Sequence, residues 1–367
     1  MIPLLTPDMP STQDLLPYLK MIDKDKWYTN FGPRLRAFED RLIDHFKVQN
    51  ENITTVSSAT TGLSIVLKIL TSELLASSIK KRSTCLLPAW TFVASAQAIV
   101  EAGMDVLFCD VDPVTGALTP EIVSEYLKIP SNIKPDVIMP VVPFGGTVKV
   151  TDWDALSVKT KIPVVVDAAA SFYSLEAGNS PAVVSLHATK AFGVGEGGVI
   201  ISKNKEVIRD ARQFSQFGFS VGRVALSYGG NYKLSEYHAA VGLAQFDRIG
   251  EMKQRHLNIR REYFDHFPSC ENIACLPGED TKISSTLNVI FDGKKANTVV
   301  EALRKQGIGA SVWWEDRLHR NQLFNALSVG NSFPVTDIFY DSVVALPFST
   351  SLSEKDISLV VSGIRSV

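Results

Sequence analysis

The chain has 367 residues, 45% of them hydrophobic and 21% charged, with a formal net charge of −2. That length predicts one large unit plus a smaller one, burying about three quarters of the unfolded surface. The near-neutral balance excludes the basic footprint of a nucleic-acid binder, and no apolar run approaches the roughly 18 residues of a membrane helix. The opening MIPLLTPDMPSTQD lacks the charged and apolar regions of a signal peptide. The cysteines, Cys85, Cys109, Cys270 and Cys275, lack the tight pairing of a disulfide framework or zinc knuckle and read as small buried hydrophobes. A soluble protein of a reducing, cytoplasmic compartment, with no nucleic-acid or membrane partner, is expected.

From about residue 55 to 205 short β-rich runs alternate with helical patterns. The predicted strands are 54–57, 84–88, 105–111, 137–142, 163–167, 183–187 and 198–202. Several (VIMPVV, IPVVVD, GGVIIS) are nearly continuous in Val, Ile and Leu, which marks strands covered on both faces. Between them TTGLSIVLKILTSELL and FVASAQAIVEAG read as helices, the second closed by Gly103. Such alternation predicts an α/β fold with a mostly parallel, doubly covered sheet, whose ligands bind outside the carboxyl ends of the strands. From 235 to 267 the pattern predicts one long helix, with Leu243, Phe246 and Ile249 along one face. The tail, strand-like TLNVIF, helical ANTVVEALRKQG, a loop carrying Trp313 and Trp314, VVALP and a last helix, predicts a smaller α/β unit. The division expected is 1–245 and 246–367, with the long helix as the joint.

Three features at predicted strand ends point to chemistry. In SLHATKAFGVGEGGVI a lone lysine, Lys190, follows a buried-looking strand and precedes a glycine-rich turn. A lysine desolvated among small and apolar residues loses its preference for the charged form and becomes nucleophilic. The glycines lie between two strands rather than opening a helix, so they are no nucleotide fingerprint. Asp167 terminates IPVVVD and is followed by Ala168, Ala169 and Ala170. It reads either as an N-cap for the next segment or as a fixed anion beneath a protonated heterocyclic nitrogen, the partner a pyridoxal ring needs to act as electron sink. SSATTGL, residues 57–63, places hydroxyls and small residues at a helix N-terminus, either a plain cap or an anion site.

Together these segments resemble the DegT-type (DegT/DnrJ/StrS) nucleotide-sugar aminotransferases, a fold-type I pyridoxal-phosphate family. The resemblance runs in order along essentially the whole chain. WYTNFGPRLRAFEDRL (27–42) is similar to the family's opening W-x-T-x-G-P…F-E, and SSATTGL to its S-G-T-x-x-L phosphate turn. PAWTFVASAQAIVEAGMDVLFCDVDPVTG (88–116), IPVVVDAAA, SLHATKAFGVGEGGVI and GGNYKLSEYHAAVGLAQFDRI (229–249) resemble its later segments.

The resemblance implies a large domain with a mostly parallel sheet, a small C-terminal domain, and an N-terminal segment (1–45) contributing to the active site. It implies Lys190 as the cofactor-bound lysine and general base, and Asp167 as partner of the pyridinium nitrogen. Phe92 would stack on the ring, or else pack in the core. Ala59, Thr60 and Ser185 would hold the phosphate, and Asn231 would reach the cofactor of a second subunit in a homodimer. Thr29, Asn30, Trp313, Trp314 and His319 are candidates for the sugar-nucleotide side, or else for subunit packing. The reaction implied is a ping-pong transfer. L-Glutamate leaves as 2-oxoglutarate, and pyridoxal 5'-phosphate becomes pyridoxamine 5'-phosphate. That form then aminates a keto group of a nucleotide-linked deoxysugar, for cell-surface polysaccharide or glycoside biosynthesis.

The chain departs from the family at three places. Ala170 stands where Gln or His is frequent, Ala59 replaces the glycine of S-G-T, and of H-Y-x-P-x-H only the second histidine, His319, survives. A dehydratase branch of the family replaces the lysine with histidine, whereas this chain has Lys190. An iron–sulfur variant would need clustered cysteines. A non-catalytic sensor of the same fold would not need Lys190, Asp167, Ser185 and Asn231 together.

Overall fold

The structure is a computed structural model describing residues 1–72, 82–220, 222–270, 272–291, 293–328 and 330–367. The Val- and Ile-rich runs extend as β1 (Ile53–Val56), β2 (Thr84–Pro88), β3 (Asp105–Cys109) and β4 (Val137–Ile138). There follow β5 (Val148–Lys149), β6 (Val166–Asp167), β7 (Leu175–Glu176), β8 (Ala182–Ser185) and β9 (Gly198–Ile201). β5 and β7 form a small parallel pair by themselves. The sets β1-β9-β8-β6 and β3-β2-β4 join through parallel bridges from Ile138 to Val164 and from Val141 to Asp167, giving one central sheet.

Alternating residues of this sheet enter different cores. Val183 and Ile200 pack into one cluster with Leu63 and Val66, while their neighbours Val184 and Val199 pack into another with Phe38 and Phe246. Successive side chains of a strand point to opposite faces, so an unbroken apolar run is what a sheet covered on both sides requires. The expected helix at 60–75 is observed as Ala59–Leu70; its last residues, 73–75, lie outside the described residues. The helix Val93–Glu101 ends with Gly103 at φ 80°, as FVASAQAIVEAG predicts.

One strand runs against the rest. β8 pairs with β6 in parallel but with β9 antiparallel, and β9 pairs with β1 antiparallel. The chain leaving β8 therefore turns back at the carboxyl edge of the parallel strands, and that return carries Lys190. β1 points the same way as β8, so the turn from β1 into Ala59–Leu70 lies on the same edge. Register sets Val56, Gly198 and Ser185 side by side across the three strands.

The helix expected from 235 to 267 is two helices, Glu236–Asp247 and Ile249–His266, meeting at Arg248 (φ −108°, ψ 7°). The cause is tertiary: Arg248 Nη2 donates to Asp8 Oδ1 at 2.6 Å, and Gln245 Nε2 donates to Asp8 O at 2.7 Å. The apolar stripe continues across the break, which hides it from periodicity. Beyond it β10 (Ile273–Cys275), β11 (Leu287–Phe291), β12 (Ser311–Val312) and β13 (Val343–Leu346) form an antiparallel sheet in the order β10-β11-β13-β12. The helices Ala296–Lys305 and Glu354–Ser366 share its core with Ile259, Tyr263 and the N-terminal Ile2. Ile2 bridges Ile308, so the N-terminus joins this part of the chain.

Candidate active site

The carboxyl edge of the central sheet opens into a cavity of about 520 Å³. Asp167, Lys190 and Ser185 line it from the sheet, and Ala59, Thr60 and Phe92 from the starts of two helices. Trp313 and Trp314 close it from the C-terminal part, and Leu4 and Leu5 from the N-terminal segment. Strand direction brings these distant residues together: β1, β6 and β8 all end on this edge.

Asp167 is buried, and each of its carboxylate oxygens accepts one hydrogen bond, which leaves acceptor capacity over. Ser95 Oγ donates to Oδ2 at 2.7 Å and the Ala169 N–H to Oδ1 at 3.1 Å. Its backbone is pinned from both sides, N–H to Pro140 O at 2.9 Å and O from Val142 N–H at 2.9 Å. Burial pushes its pKa above the ordinary carboxylate value, while Ser95, the Ala169 N–H and the Lys190 charge pull it down. Lys190 moves the other way. Burial lowers its amine below the usual lysine value, against the raising effect of Asp167. A lysine with a weakened grip on its proton is one that can act as nucleophile and base. Its own N–H donates to His187 O at 2.9 Å, which fixes the turn.

Ser58 caps the helix Ala59–Leu70, its Oγ accepting the Thr61 N–H at 3.1 Å. The N–H groups of Ala59 and Thr60 precede the first intrahelical bonds and face outward with the helix dipole, which suits an anion. Gly198 makes this approach possible: a Cβ there would lie 2.7 Å from Ser58 C and Ala59 N. Phe92 is 50% exposed at the cavity, so core packing does not account for it.

The DegT/DnrJ/EryC1/StrS aminotransferase family matches residues 11–365. The chain belongs to that family. It is 28% identical to Protein Rv3402c of Mycobacterium tuberculosis strain H37Rv, over 99% of this chain and 89% of that one. It is 25% identical to dTDP-4-amino-4,6-dideoxy-D-glucose transaminase of Shigella dysenteriae, over 98% and 97% of the two chains. A proposed PLP-dependent aminotransferase from Bacillus cereus ATCC 10987 superposes with a TM-score of 0.88, at 26% identity over 99% of both chains.

The protein is thus a pyridoxal-phosphate-dependent aminotransferase of fold type I, and its cavity fits that cofactor. A helix N-terminus offers N–H donors to a phosphate, a buried carboxylate waits for a cationic ring nitrogen, and a desolvated amine stands in the same cavity. An exposed phenyl face completes the set. Other predicted residues lie elsewhere. In the single chain Asn231, Thr29 and Asn30 are exposed and do not line the cavity. The Asn231 amide oxygen accepts from Lys233 Nζ at 2.5 Å, and Thr29 O accepts from Trp27 Nε1 at 2.5 Å. His319 is not brought to the cavity. It is buried against Phe333 and Tyr340, its Nε2 lies 3.2 Å from Asp337 Oδ1, and it borders a separate depression. Asp337 also binds Arg317 at 2.9 Å and Arg320 at 2.6 Å, so the imidazole belongs to a structural ion cluster.

Sequence reading missed Ser95, whose only signal is a hydroxyl inside the apolar run VASAQAIV. It also missed the segment Ser284–Thr286, which lines the cavity from a remote part of the chain with no local motif, whereas Leu4 and Leu5 fall within the N-terminal segment 1–45 expected to contribute, though no motif singles them out.

Proposed function

We propose that this aminotransferase moves the amino group of L-glutamate to a keto group of a nucleotide-linked deoxysugar, by two alternating half-reactions at one cavity. The observation that carries the reading is the shared placement of Lys190 and Asp167, amine and carboxylate, in one largely apolar cavity beside a free helix N-terminus. Its relative in Shigella dysenteriae is named for a dTDP-linked dideoxy aminosugar, which supports the sugar-nucleotide assignment.

Ala59, Thr60 and Ser185 would bind the cofactor phosphate, Phe92 would cover one ring face, and Asp167 would hold a proton on the ring nitrogen. The bound cofactor supplies an electron sink for a carbanion next to nitrogen. Lys190, freed by the incoming amine, would carry the proton from the donor's α-carbon to the cofactor's aldehyde carbon in the first half-reaction, and from that carbon to the sugar carbon in the second. Its lowered pKa leaves a larger neutral fraction for the first transfer. The Leu and Trp walls exclude water. Trp313 and Trp314 offer flat faces to a sugar.

A homodimer with a shared site belongs to this proposal. Lys190 is the single Lys or Arg lining the cavity among the described residues, yet a diphosphate and two carboxylates need cations. The stretch carrying Arg223, Val224, Leu226, Tyr228 and Asn231 is exposed, with Tyr228 at 92%. Such an apolar and basic surface suits a second copy that lends cations and Asn231. The division into 1–245 and 246–367 is likewise our proposal.

The test is direct. Protein reconstituted with pyridoxal 5'-phosphate should take up the amino group of glutamate, and mass spectrometry should then find one aminated product in a panel of keto-sugar nucleotides. Borohydride should fix the cofactor to Lys190. Fixation at another residue, or none, refutes the assignment.

A further inference from the structure

The sugar side of the cavity has a wall whose support lies entirely outside it. Ser284, Ser285 and Thr286 line the cavity immediately before β11. A Cβ added at Gly145 would lie 2.7 Å from Ala170 O and 3.1 Å from Ser284 Cβ, so Gly145 sits close to both the wall and the turn after Asp167.

Behind the wall sits Arg260, on the helix Ile249–His266 and fully buried. Its Nη2 donates to Ser284 Oγ at 3.1 Å and to Thr286 O at 2.9 Å. Its Nη1 donates to Glu279 O at 2.6 Å and to Glu279 Oε2 at 2.9 Å. Lys282 Nζ closes on the other carboxylate oxygen and lies 5.7 Å from the Phe144 ring centroid. Phe144 in turn stacks on Trp314 at 5.0 Å. A fully buried ion pair is weak evidence for stability, because desolvation offsets its attraction, so its retention calls for another account. The planar fork of arginine reaches two acceptors in fixed directions, which lysine cannot do.

The three hydroxyls of the wall differ in how far they are engaged. Ser284 Oγ accepts from Arg260 and donates to Thr286 O at 2.9 Å, so it is committed. Thr286 Oγ1 accepts from Asn288 Nδ2 at 3.2 Å and keeps its proton to donate. Ser285 Oγ bonds to no described residue. Two hydroxyls therefore remain available at the wall of a cavity that Phe144 and Trp314 also line. Hydroxyls next to flat rings match a polyhydroxylated ring better than a dicarboxylate.

We infer that Arg260 is a positioning residue for the amino acceptor: it locks Ser284–Thr286 so that the Ser285 and Thr286 hydroxyls bind the sugar. This rests on the keto-sugar reading above. Ser284→Ala removes one arm of the lock and leaves the Arg260–Glu279 pair whole. Arg260→Lys keeps the charge and loses the fork. Each variant, as holoenzyme, should show an acceptor KM raised about tenfold with kcat near the parent value. The single-turnover rate with glutamate should stay within about twofold, and Ser285→Ala should reproduce the acceptor effect. An unchanged acceptor KM in Ser284→Ala and Ser285→Ala overturns the inference, as does an equal loss in both half-reactions. A parent enzyme that glutamate does not aminate refutes the functional reading instead, and that control is run first.

Discussion

Ser95 Oγ donates to Asp167 Oδ2 at 2.7 Å, joining the helix that follows β2 to the carboxylate that ends β6. Thr91 Oγ1 lies 3.1 Å from the same serine oxygen, so the donor is itself oriented. Burial alone would favour a neutral Asp167, which could not hold a proton on a ring nitrogen. The serine counters that cost.

Removing the donor in Ser95→Ala should therefore raise the pKa of Asp167. Below it the carboxylate is protonated, so the acid limb of kcat/KM should move to higher pH. At the acid end the loss should be about tenfold, with the alkaline limb in place. A pH–rate profile that superposes on the parent would show that Ser95 does not tune this carboxylate.

Phe92→Ala should separate stability from cofactor retention. At 50% exposure the ring contributes little to folding, and the unfolding free energy should fall by no more than the ~0.5 kcal/mol typical of surface sites, read by denaturant titration. Dialysis should nonetheless strip pyridoxal phosphate faster than from the parent, by about tenfold if a stacked ring is lost. Equal retention would return Phe92 to a packing role.

Gly198→Ala places a methyl 2.7 Å from the backbone at Ser58 and Ala59. Backbone on both sides cannot yield cheaply, so the turn that offers its N–H groups to the phosphate must shift. We expect about 1–3 kcal/mol of destabilisation by denaturant titration. Phosphate-dependent cofactor binding should weaken well before the fold is lost.

His256 is buried against Phe348 with both ring nitrogens unpaired among the described residues. Burial lowers its pKa from 6.5 to about 4. As pH falls below 6.5 the unfolded imidazole takes up a proton and the folded one does not, so stability declines until about 4. Across that window the contribution is about 3 kcal/mol. His256→Phe should flatten this part of the stability–pH curve and change little above neutral pH. A parallel curve would place the titration elsewhere.

Much of this was legible along the chain. The strand runs, the loop-borne Lys190 and the terminal Asp167 are local patterns, and local patterns survive in a sequence. The Arg248 break was not legible, because Asp8 makes it from 240 residues away. His319 looked like a site residue from its motif, but Asp337 and two arginines claim it in space. Thr29 and Asn30, candidates for the sugar-nucleotide side, stay at the surface of one chain, as does Asn231, whose expected contact is with a second subunit.

By itself, the sequence determined the alternation of elements, the two-sided burial of the strands and the chemical types at their ends. Those follow from side-chain period and from the intrinsic behaviour of lysine, aspartate and hydroxyl groups. Only the tertiary structure decided that Ser95 meets Asp167, that Arg260 stands behind Ser284–Thr286 and that Leu4 closes the cavity. Such contacts depend on which strand runs antiparallel and where helices cross, and no short stretch of chain carries that information.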